Sequence, residues 1–202
     1  MNKMLLSSLV AAATFALAPA AQAALAIDTG TPTGGAVGSL VFNGSDWVAA
    51  QVSFASAATI GAIAGHILGG TAGETFDISL YDGGATPGSQ EFTTTATYGA
   101  DGWNGASGLD WTVPAGSYWI EFEVNWDDTL GTTPTPTGAL FDTGVANPVQ
   151  TAATSDFGFT YDASPQSIGL QVSTVPEPSS GLQLAAGALL LASLGLARRR
   201  RG

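Results

Sequence analysis

The 202-residue chain has no cysteine, which excludes disulfides and thiol chemistry. It has one histidine, His66. Its only other basic side chains are Lys3 and Arg198, Arg199, Arg200 and Arg201. Between Ala24 and Ala197 there is no lysine or arginine, whereas all sixteen acidic residues lie between Asp28 and Glu177. The central part therefore carries a formal charge of −16, or −15 without Glu177, against −11 for the whole chain. No Lys or Arg salt bridge can form there. Each carboxylate must be solvated, hydrogen-bonded to N–H or hydroxyl groups, or bound to a cation. Nucleic acid and anionic lipid surfaces are poor partners for this part of the chain, because a basic footprint is missing. Charged residues make up only 10% of the chain, against a usual ~25%. With 45% hydrophobic residues, this composition argues against disorder and for an apolar core. About 150 residues remain between the two ends, enough for one domain.

Both ends have the form of export signals. In residues 1–23, Lys3 supplies positive charge and an apolar run extends from Leu5 to Leu17. Pro19 then breaks the helix, and Ala21-Gln22-Ala23 is a small-residue site for cleavage between Ala23 and Ala24. Residues 175–202 begin with Val175-Pro176-Glu177-Pro178, continue as an apolar run to Ala197 and end in the four arginines. The prolines donate no backbone hydrogen bond and hold the site extended and open to a processing enzyme. Counted from Ser179, the uncharged stretch is 19 residues long, close to the ~20 that cross a bilayer as a helix. Arginines at its end resist translocation and stay cytoplasmic, so the body is expected on the far side of the membrane.

The order Pro-Glu-Pro, apolar helix, arginine cluster resembles the PEP-CTERM sorting signal of Gram-negative bacteria that secrete exopolysaccharide. The resemblance implies a set of partners. The secretion translocon exports the chain, and the inner membrane holds it transiently. An exosortase then recognises Pro176, Glu177, Pro178 and Arg198–Arg201 and cuts nearby. The product reaches the cell surface or extracellular matrix, in association with exopolysaccharide. A second resemblance lies in the body. Trp47-Val48-Ala49-Ala50-Gln51-Val52-Ser53-Phe54, the segment Thr75–Asp82 with Pro87-Gly88, and Ala115-Gly116-Ser117-Tyr118-Trp119 are similar to the choice-of-anchor class of bacterial surface β-sandwich domains. It covers roughly residues 42–123 and carries no activity over to residues here.

Period-two alternation recurs between the two signals. Tyr118, Ile120, Phe122, Val124 and Trp126 share one face, which places Trp126 in the core. Trp119, Glu121, Glu123 and Asn125 share the other and are expected to face solvent. Strands are also expected at residues 47–54, 75–80, 91–97 (near an edge), 156–161 and 168–172. In residues 59–68 the phase is disturbed at Gly61-Ala62, which predicts a bulged strand. Residues 82–88, 101–105, 114–116 and 132–138 carry turn chemistry. This pattern predicts an all-β fold over residues 24–174. The expected architecture is an antiparallel two-sheet sandwich, jelly-roll-like, flanked by the signal peptide (1–23) and the transmembrane sorting helix (175–202).

The body is poor in catalytic groups. His66 stands alone, no nucleophile-elbow motif is present, and no catalytic residue is assigned. Glu121 and Glu123 beside Trp119 have the residue types of a glycoside hydrolase pair, but a solvated strand face has them too, and that reading ranks last. Oxygen-only side chains suit Ca²⁺, and Asn125, Asp127 and Asp128 are the preferred candidate ligands, ahead of Asp101, Asn104 and Asp110. None has EF-hand spacing. Of the five tryptophans, Trp103 in a Gly-rich turn and Trp119 beside Glu121 are the candidate platforms for a sugar ring. The expected function is that of a non-catalytic, exported surface or matrix protein associated with exopolysaccharide. The alternative is a carbohydrate-binding module, with or without Ca²⁺. No resident cofactor is expected.

Overall fold

The computed structural model of the protein describes residues 24–31, 40–41, 44–130, 138–139, 151–154, 156–164 and 168–175. Residues 1–23, the Pro-Glu-Pro motif, the C-terminal apolar run, the arginines and residues 132–137 of the expected loop lie outside the described residues. Ala23–Val175 form one unit.

The strands among the described residues are β1 (Ala24–Asp28), β2 (Leu40–Val41), β3 (Trp47–Phe54), β4 (Ala58–Leu68), β5 (Thr75–Asp82), β6 (Gln90–Thr97), β7 (Gly102–Val113), β8 (Gly116–Glu123), β9 (Gly138–Ala139), β10 (Thr151–Thr154), β11 (Asp162–Ser164) and β12 (Leu170–Val175). There is no helix among these residues, and so none that could cross a membrane. All pairings are antiparallel and build two sheets. In the first, the order is β1-β12-β4-β9-β2, with β7 on β4. In the second it is β11-β10-β3-β8-β5-β6.

One apolar core joins the two sheets, as expected of a β-sandwich. The second sheet contributes Val48, Ala50 and Val52 from β3, Phe76, Ile78 and Leu80 from β5, and Ile120 and Phe122 from β8. The first contributes Ile60, Ile63 and Ile67 from β4, with Trp111, Leu170 and Val172. The inward residues of each strand are two apart, because successive side chains point to opposite faces of the pleat. Strand β4 keeps this arrangement across the predicted bulge. Its pairing with β7 shifts between Ile60 and Ala62, so Ile60 and Ile63, three apart in sequence, both reach the core. β6 is an edge strand, as its threonine-rich sequence suggests.

Three expectations are corrected. Residues 156–161 are not a strand. Asp156 accepts hydrogen bonds from the hydroxyls of Thr154 and Thr160 and from the backbone N–H of Thr160, and these local bonds replace a ladder with a turn. Strand β7 begins at Gly102, inside the expected 101–105 turn. Asn104 is buried and folds the preceding segment from within the strand, accepting from Gly99 N–H and donating to the carbonyls of Ala100 and Gly102. Strand β8 ends at Glu123, and Trp126 stands beyond it with 89% of its surface exposed, not in the core.

Candidate functional site

The outward face of the second sheet is covered, and this decides where its polar residues stand. Trp119, Glu121 and Glu123 alternate along β8 as the sequence indicates, yet they are 1%, 0% and 3% exposed. Opposite Glu121 lie Ala49 of β3 and Ser79 of β5, both small. That leaves room for side chains from outside the sheet. The loop after β5 folds over Trp119: the carbonyl of Gly84 accepts from the Trp119 indole N–H at 3.3 Å and from the Gln51 amide at 2.6 Å. Asp82 holds this loop by accepting from Ser89 N–H. On the other side Tyr161 donates its hydroxyl to Glu121 Oε2 at 2.9 Å. Tyr81, next to Trp119 across the β5–β8 pair, donates to Glu123 Oε1 at 2.9 Å. The Asn125 amide completes the cluster, bridging Glu123 Oε2 at 3.1 Å and Asp77 Oδ2 at 3.0 Å.

Burial sets the electrostatics of this cluster. It pushes the Glu121 carboxyl up to about 8, with a further rise from the neighbouring Glu123 charge and opposition from the Tyr161 hydrogen bond. Glu123 is also raised, again chiefly by burial, although several hydrogen bonds work against it. The Tyr81 and Tyr161 hydroxyls are held above the ordinary phenol range by burial and by the adjacent carboxylates, so they stay protonated and donate to those carboxylates. Glu121 Oε1 is buried without a hydrogen-bond partner among the described residues. A neutral carboxyl fits that position, because an ionised oxygen there would leave its charge unsolvated.

Beside this buried cluster stands an exposed aromatic one. The turn after β8 is closed by a bond from Asp128 N–H to the Asn125 carbonyl, and Asp128 Oδ2 accepts from Asn125 N–H. It lifts Trp126 clear of the sheet. Residues 156–159 form a second turn, in which Phe157 (φ 60°) and Gly158 (φ 80°) both have the φ sign of a type I′ turn. Phe157 has ring contacts on two sides. It stacks on Trp126 (5.4 Å, 12°) and meets Trp47 edge-on (6.2 Å, 86°). Phe159, in the same turn, is 84% exposed.

The predicted site residues fall as follows. Trp103 and Trp119 share no face: Trp103 is on β7 of the first sheet, Trp119 on β8 of the second. Trp103 is half-buried and lies edge-on to His66 at 5.3 Å. Trp119 has no free indole face to stack on a sugar, because the β5–β6 loop lies over it. Glu121 and Glu123 are likewise not the exposed pair expected, being roofed by Tyr161 and Tyr81. Asn125 turns its amide to carboxylates, and Asp128 is engaged within the turn, which leaves Asp127 exposed. Among the described residues no group of three or more His, Asp or Glu side chains is gathered to hold a metal ion. Asp101 accepts from Tyr98 and Gly69, Asn104 is buried, and Asp110 is exposed on β7, so these do not converge either. His66 is buried beside Trp103 with Nδ1 unpartnered, and burial lowers its pKa.

Sequence reasoning missed Tyr81, Tyr161 and the Trp126–Phe157–Phe159 group. Tyr81 was within reach, since strand alternation puts it on the face of Asp77 and Ser79. The Asn125-to-Asp128 spacing is a turn signal that would have released Trp126 from the strand. No family model matches the chain, and no curated protein matches it.

Proposed function

We propose that this chain is a non-catalytic exported protein of the cell surface or extracellular matrix of a Gram-negative bacterium, sorted through a PEP-CTERM-like signal and associated with exopolysaccharide. The observation that carries the reading is the pair of terminal signals, residues 1–23 and 175–202, around a body without Lys, Arg or Cys. In this reading the signal peptide is cut between Ala23 and Ala24. The apolar run spans the inner membrane with Arg198–Arg201 in the cytoplasm, and an exosortase processes the chain near Pro176-Glu177-Pro178. The body, with a jelly-roll-like sandwich over 24–174, is then released to its destination. Burial of Glu121 and Glu123 supports a non-catalytic role, because the two side chains are withdrawn from solvent. Replacement of Pro176, Glu177 and Pro178 by alanine is expected to leave uncut precursor in the inner membrane, read by fractionation and immunoblot. Normal delivery of that variant to the surface would refute the sorting role.

A second reading, a carbohydrate-binding module, is favoured by one specific observation: aromatic rings stand exposed in the turns after β8 and β10, Trp126 at 89% and Phe159 at 84%.

A further inference from the structure

We infer that Trp126, Phe157 and Phe159 form a binding platform for uncharged hexose polysaccharide, built on the buried Glu121–Glu123 pair. The inference rests on the carbohydrate-binding reading and gives it a site and a ligand class that Trp103 and Trp119 do not supply.

The platform is preorganised. Asn125, one residue before Trp126, is held by Glu123 and Asp77, while Tyr161, two residues after Phe159, is held by Glu121. The two turns therefore meet through adjacent carboxyls of one strand. Phe157 joins them by stacking on the Trp126 indole, and Trp47, on the outward face of β3, meets Phe157 edge-on. Trp126 keeps 89% of its surface exposed, and an open indole is what the apolar face of a pyranose stacks against. Asp127, exposed in the same turn, offers acceptor oxygens to ring hydroxyls.

Size and charge select the occupant. A stable protein interface covers about 800 Å² on each partner, whereas aromatic side chains offer about 150–250 Å² each when fully covered. The remaining exposed large apolar residues among those described, Leu25 and Val175, belong to β1 and β12 of the other sheet. Three rings are too little for a stable protein partner and suffice for a short stretch of sugar chain. The body carries about fifteen negative charges and no Lys or Arg, so polyuronates, sulfated glycans and anionic lipid are repelled. Uncharged hexans are not.

The test uses the full-length chain in mild detergent, by native affinity electrophoresis in gels containing an α-glucan, a β-glucan, a mannan or alginate, together with tryptophan fluorescence titration. Retardation by at least one uncharged hexan and not by alginate is expected. Trp126→Ala should weaken that binding about tenfold or more, and Phe159→Ala should weaken it by a smaller factor. Trp126→Phe should retain part of it, and Trp103→Ala all of it. Melting temperatures of Trp126→Ala and Phe159→Ala should stay near that of the parent, since both side chains are exposed. Hexan binding that survives Trp126→Ala and Phe159→Ala, or that is lost in Trp103→Ala, would overturn the platform while leaving the carbohydrate-binding reading standing. Failure of the unaltered chain to bind any of the hexans would overturn both. Stronger retardation by alginate, or self-association abolished by Trp126→Ala without hexan binding, would overturn the ligand class.

Discussion

Glu121 shows how far one side chain's behaviour depends on what lies over it. On an open strand face it would titrate in the ordinary carboxylate range. Beneath Tyr161 it is 0% exposed, and burial raises its pKa from the ordinary 4.5 to about 8. The folded value lies above the unfolded one, so the protonated side chain favours folding. That contribution is complete at pH values below the unfolded pKa and is lost as the pH rises through about 8. Ordinary carboxyl groups ionise at lower pH, and burial moves the His66 pKa down, away from this range. Between about pH 6 and 9 Glu121 changes charge. The melting temperature is expected to fall over that interval, by an amount worth a few kcal/mol, and Glu121→Gln should remove most of the slope. An equal slope in the Gln variant would place the titration elsewhere.

At the scale of elements, strand β4 carries the closest fit. Gly65 lies in the core opposite β8, and a Cβ there would come within 2.7 Å of Phe122 Cζ. The β4 backbone thus sits closer to the facing sheet than any side chain would allow, and Phe122 fills the space. Gly65→Ala forces that ring off its rotamer or pushes the sheets apart. A loss of about 1–3 kcal/mol is expected, read as a lowered denaturant midpoint with unchanged m-value. Stability equal to the parent would show that the sheets can separate at no cost. The bulge in the same strand has a different role. It restores the inward phase of Ile60 after Gly61, so β4 presents isoleucines to the core along its whole length.

For the molecule as a whole, the dominant fact is a body with about fifteen carboxylates and neither Lys nor Arg. Self-repulsion opposes the compact state, and salt screens it. NaCl is expected to raise the melting temperature. Ca²⁺ at matched ionic strength should raise it further if it binds the folded form at the turn of Asn125, Asp127 and Asp128. At ten times its dissociation constant the gain is about 1.4 kcal/mol, or a few degrees. Asp127→Asn/Asp128→Asn should then abolish the excess over NaCl. Identical curves in the two salts would leave that segment as a turn only.

The all-β architecture, the bulge in β4, the edge position of β6 and the inward set Tyr118, Ile120, Phe122 and Val124 were legible in the chain itself. Alternation and turn residues are local, and the pleat converts them directly into faces. The export signals proposed for the two ends rest likewise on patterns of composition along the chain, and residues 1–23 and 176–202 lie outside the described residues. The fate of the second face was not legible. Alternation separates Glu121 and Glu123 from the core but is silent on whether a loop covers them, and Tyr161 comes from forty residues away to do so. The same distance hid the aromatic cluster, because Trp126 and Phe157 meet only when two turns are brought together at the end of the strands. By itself the sequence determined the strands β3, β4, β5, β6, β8 and β12 and the charge of the body, since these follow from neighbours in the chain and from counting. Only the tertiary structure decided which polar residues are buried and which aromatic rings are free, because burial depends on contacts between segments far apart in sequence.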